Sequence, residues 1–67
     1  MLKSKTGFKE LVFNVVGTIN TRKLVGEFGM SNKTVIRLLN HQQVNEKSAL
    51  KAASRLGVEI TEVFEPA

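Results

Sequence analysis

The run Asn20-Thr-Arg-Lys-Leu-Val-Gly-Glu-Phe-Gly-Met-Ser-Asn-Lys-Thr-Val-Ile-Arg-Leu-Leu-Asn40 decides how this chain is read. It holds two short amphipathic segments separated by Gly29-Met30-Ser31. In the first, Asn20 offers its side-chain oxygen as an N-cap, and Leu24, Val25 and Phe28 share the inner side of a helix over 21–28. In the second, Ser31 caps a helix over 32–40 whose Val35, Leu38 and Leu39 point inward, the spacing that burial on one side requires. A turn of three to four residues containing glycine sets two helices at a steep angle, as in a helix-turn-helix. Gly29 supplies a positive φ at that turn, and Met30 plugs the angle between the helices. Asn32, Lys33, Ile36, Arg37 and Asn40 remain on the outer face. Polar and basic residues there, near the N-terminal end of the second helix, are what a groove-reading helix presents.

Working outward, Phe8, Leu11, Val12, Val15, Val16 and Ile19 recur at offsets of three and four, predicting a helix over 8–17 closed by Gly17. Phe13 lies about 140° off that face, as a rim residue of the core or part of a partner surface. Residues 1–6 read as a polar, mobile, basic arm. A polar loop, His41-Gln-Gln-Val44, follows the central unit, and Asn45 caps a fourth helix. Ala49, Leu50, Ala53 and Leu56 form its inner stripe, with Gly57 just past its end. The segment Val58–Phe64 makes one further turn capped by Thr61, with Val63 and Phe64 closing the base of the core before Pro66 stops it. The prediction is an all-α chain: a flexible arm over 1–6, then a single domain over 7–67 built as a compact bundle of about five short helices.

Residues 20–40 resemble the helix-turn-helix of the Cro/phage-repressor (Xre-like) family. The stretch Ser48-Ala-Leu-Lys-Ala-Ala-Ser-Arg-Leu-Gly-Val-Glu-Ile-Thr-Glu-Val-Phe64 is similar to that family's fourth helix and its closing turn. The resemblance covers most of 8–64 and implies a repressor-like bundle that binds operator DNA. Thr21 stands where the family often has glutamine, Val25 where it usually has alanine, and His41 where it usually has glycine. Residues 34–40 also resemble the third-helix signature of the lac-repressor family.

The charge agrees with a polyanionic partner. The chain of 67 residues carries a net +4. Residues 1–40 hold seven basic groups (Lys3, Lys5, Lys9, Arg22, Lys23, Lys33, Arg37) against Glu10 and Glu27, whereas residues 41–67 hold Lys47, Lys51 and Arg55 against four glutamates. A polarised charge suits a domain that lays one side on nucleic acid. Catalytic chemistry has little to work with. There is no cysteine and no aspartate, the one histidine is His41, and Ser31, Ser48 and Ser54 lack a nucleophile-elbow context. The Gly26–Gly29 stretch lacks the Lys-Ser/Thr of a phosphate loop. Neither catalytic residue, metal ligand nor cofactor is expected. The longest apolar run is Leu11–Phe13, and Lys3 and Lys5 interrupt any signal-like start, so the expected setting is the cytoplasm rather than a membrane.

The expected function is a sequence-specific, DNA-binding transcriptional regulator of Cro/repressor type. Asn32, Lys33, Ile36 and Arg37 are assigned to bases; Thr21, Arg22, Lys23, Thr34, Asn40, Gln42 and Gln43 are assigned to phosphates. The operator is expected to be near-palindromic double-stranded DNA. The chain pairs on it as a weak homodimer or as monomers, through Phe13 or the Ile60–Phe64 segment. The alternative is a protein-interaction module on the same fold, antitoxin-like or anti-repressor in kind.

Overall fold

Three asparagine and serine caps set where the central helices start. Asn20, Ser31 and Asn45 have extended backbone, and their side chains accept the amides of Lys23, Thr34 and Ser48 at 3.2, 3.3 and 2.8 Å. Each such cap stabilises its helix by about 1 kcal/mol. In the computed structural model, which describes residues 1–67, the helices are α1 (Phe8–Val16), α2 (Thr21–Phe28), α3 (Asn32–Leu39), α4 (Glu46–Leu56) and α5 (Ile60–Val63). Gly29, with φ 66°, ends α2 and turns the chain into α3 through Met30 and Ser31.

The inner stripes of these helices meet in one core. Phe8 and Val12 of α1, Leu24 and Phe28 of α2, Val35, Leu38 and Leu39 of α3, and Ala49, Ala52, Ala53 and Leu56 of α4 are all buried. Val63 and Phe64 close the base as the sequence implies, with the Phe64 ring tilted against Phe8 at 5.5 Å between centroids. Leu11, Val16, Val25, Met30 and Ile60 are half-buried at the core's margin.

The chain is mostly helical but not all-α. Residues 1–6, expected as a mobile arm, contain a strand, β1 (Leu2–Ser4), which pairs antiparallel with β2 (Phe64–Pro66). The pairing sets Leu2 against Pro66, Lys3 against Glu65 and Ser4 against Phe64. Pro66 therefore sits inside a strand, where its missing amide can be tolerated because the strand is an edge. On its other side β1 bonds Val44 in both directions, Leu2 N to Val44 O at 3.0 Å and Val44 N to Leu2 O at 2.8 Å. Val44 is consequently buried, although its loop reads as polar.

Ser4 is the one buried polar residue, 3% exposed, and its bonds explain why a serine stands there. Its hydroxyl donates to Leu38 O at 2.8 Å, and its carbonyl lies 3.1 Å from His41 Nδ1. A carbonyl only accepts, so Nδ1 carries the proton; the same N–H also reaches Ser4 Oγ at 2.8 Å. His41 takes φ 57°, the left-handed conformation that is uncommon for a residue other than glycine.

Other expectations need correction. Leu50 belongs to no inner stripe: the buried positions of α4 are 49, 52, 53 and 56, and Leu50 lies about 100° from them, 58% exposed. Ile19 is exposed because it lies past the end of α1 at Val16, and Val15, in the last turn of α1, is exposed as well. The cap of α5 is Glu59 rather than Thr61, since Glu59 and Glu62 form a reciprocal capping box.

Candidate nucleic-acid interface

Lys33, Ile36, Arg37 and Asn40 follow one another at three- and four-residue spacing, opposite the stripe of Val35, Leu38 and Leu39. All four are exposed, as is Asn32 at the first turn, and Ile36 is 42% exposed. Neither ion pair of the protein, Lys3–Glu65 or Arg55–Glu27, involves this helix. The amide of Asn32 and the cations of Lys33 and Arg37 thus stand outward with no intramolecular partner to give up. On the same helix, however, the Thr34 hydroxyl lies 3.0 Å from Ser31 Oγ and is half-buried. That side chain, assigned from sequence to phosphate, takes part in the capping arrangement of α3.

The start of α2 meets the start of α3. Asn20, Thr21, Arg22 and Asn32 line one shallow polar depression, so residues assigned to phosphate and to base lie side by side. Asn20 is read from sequence only as a cap; its place in this depression is visible only in three dimensions. Gln42 and Gln43 lie elsewhere. They are exposed in the loop past the C-terminal end of α3, about 12 Å along the helix from Asn32.

The electrostatics of the helix starts are uneven. Glu10, Glu46 and Glu62 occupy the first turns of α1, α4 and α5, where a negative charge complements the helix dipole. The first turns of α2 and α3 contain no acidic residue. They carry Arg22, Lys23 and Lys33 instead, cations at positive dipole ends. Each such placement costs a few tenths of a kcal/mol to about 1 kcal/mol unless an anion lies opposite. The two helix starts that border the depression are therefore the two that lack their own anion.

No family model, characterised protein or solved structure matches the chain. No helix is long and apolar enough to cross a membrane.

Proposed function

We propose that the protein is a sequence-specific DNA-binding transcriptional regulator of Cro/repressor type, in which α2, the Gly29–Ser31 turn and α3 act as a helix-turn-helix. The observation that carries this reading is the pair of adjacent helix starts with three cations and no carboxylate in their first turns. DNA phosphates supply the missing anions. Asn32 pairs with adenine, Lys33 with the guanine acceptors, Arg37 with a base or a phosphate one turn on, and Ile36 packs on a thymine methyl. Thr21, Arg22 and Lys23 hold the backbone on one side of α3, and Asn40, Gln42 and Gln43 on the other.

One helix reads only a few base pairs, so two copies about 34 Å apart on a near-palindromic site are required for specificity. The Ile60–Phe64 segment is spent on the core and the sheet, which leaves the exposed apolar side chains of α1 for pairing: Phe13, 56% exposed, and Val15 two residues on. This apolar area is small, and free protein at micromolar concentration should sediment mainly as monomer. The decisive experiment is selection from random genomic fragments, with sequencing of what the protein retains. The proposal expects a near-palindromic sequence to be enriched and two copies to bind it. Retention without any enriched sequence at moderate salt refutes it.

A further inference from the structure

A second surface lies on the α4 side, where Lys47, Leu50, Lys51 and Ser54 form one outward stripe. Between this stripe and the end of α2 runs an open groove of about 560 Å³, with Phe28 and Leu50 as its apolar lining. Leu50 contributes little to folding and, after Met1, is the most exposed large apolar side chain of the protein. It stands between two lysines and is flanked by Arg55. The single carboxylate of the groove, Glu27, is held by Arg55 at 2.6 Å. Lys51 reaches only Gly29 O, at a long 3.4 Å, and Lys47 has no partner.

From this we infer that the groove between α2 and α4 binds a partner protein through an acidic segment that carries a large apolar side chain. The apolar residue seats against Leu50 and the edge of Phe28, and its acidic neighbours meet Lys47 and Lys51. A nucleic-acid backbone fits the groove poorly, because a phosphate gains nothing from an exposed leucine at the centre or from Glu27 at the rim. A second copy of this chain fits poorly too. Of its six side-chain carboxylates, Glu27 is paired with Arg55, Glu65 with Lys3, and Glu59 and Glu62 are tied into the start of α5; the remaining two, Glu10 and Glu46, each stand alone beside a lysine, Lys9 and Lys47, and form no acidic segment. The occupant is therefore a different protein. The inference is independent of the DNA reading, since none of these residues belongs to the α2–α3 face described above.

The test is a random-peptide display library panned against the full chain at physiological salt. Peptides with Asp or Glu on both sides of a large apolar residue should be enriched, and Leu50→Ser and Lys47→Glu should each weaken them about tenfold. Both side chains are exposed, so the two variants should keep the wild-type melting curve. No enrichment, or peptides that bind both variants as tightly as the wild type, overturns the inference. An excess of short random duplex DNA should leave the peptides bound; their displacement would assign the groove to the nucleic-acid face and overturn it as well.

Discussion

Around the β1–β2 sheet, polar side chains are closed on the protein: Ser4 on Leu38 and His41, Lys3 on Glu65, Lys5 on the carbonyl of Thr61. On α3 the pattern reverses, and Asn32, Lys33 and Arg37 reach outward without a partner. Both regions are small and both lie against the same core residue, Leu38, whose carbonyl takes the Ser4 proton while its side chain anchors α3. The difference separates side chains committed to the fold from side chains left free of it. Charge alone does not make the distinction, since each region is basic by sequence. What makes it is whether a cation has already found its acceptor.

The comparison can be broken by substitution. The largest effect should come from the sheet side: Phe64→Ala removes the ring packed on Phe8 and should cost about 3–5 kcal/mol in urea unfolding. Ile36→Ala on the outer face of α3 should stay within about 0.5 kcal/mol in the same assay. Next, Ser4→Ala leaves the Leu38 carbonyl with only the longer bond from His41 N, at 3.3 Å, and should cost about 0.5–1.5 kcal/mol. A mobile arm would show no loss, so an unchanged midpoint would return residues 1–6 to that description.

On the other side, Asn32→Ala and Lys33→Ala should each lose about 1–3 kcal/mol of binding on the best site and relax preference at one or two base pairs, with the melting temperature unchanged. Equal loss on selected and random DNA would remove α3 from the reading role. Arg22→Ala or Lys23→Ala should weaken all sequences alike and lower the salt slope by about one. His41→Gly should also change little. Relief of the left-handed φ opposes loss of the Nδ1 bond to Ser4, each about 1 kcal/mol, and the net change in stability should stay below about 1 kcal/mol.

The same two regions explain how much was legible in the sequence. Residues 20–40 carry local signals: Asn20 and Ser31 as caps, Gly29 as the turn, and an inner stripe at helical spacing. All of these are decided by residues a few positions apart, and the structure reproduces them. The sheet has no such signature. Leu2-Lys-Ser is too short to show an alternation, and its partners, Val44 and residues 64–66, lie far along the chain. Leu50 misleads for a different reason. Its neighbours Ala49 and Ala53 are small, so the one large apolar residue nearby looks like the natural filler of the stripe, yet Ala52 takes that place and allows close approach. In the candidate site, the outward set of α3 is legible from periodicity, whereas the depression that joins Asn20, Thr21 and Arg22 to Asn32 depends on how two helices meet.

The pairing of the first strand with the last, down to the bond from Ala67 N to Met1 O, also has a kinetic consequence. Closing a loop of nearly the whole chain costs on the order of 3–4 kcal/mol of entropy in a flexible polymer, whereas α2, α3 and α4 meet through short connections. The helices should therefore assemble first and the two chain ends should zip last. Changes in the strands should then speed unfolding and leave the refolding rate nearly untouched. The amides of Lys3 and Glu65 should exchange with solvent sooner than those of Leu38 or Ala53, through an opening in which the ends part while the helical unit stays whole.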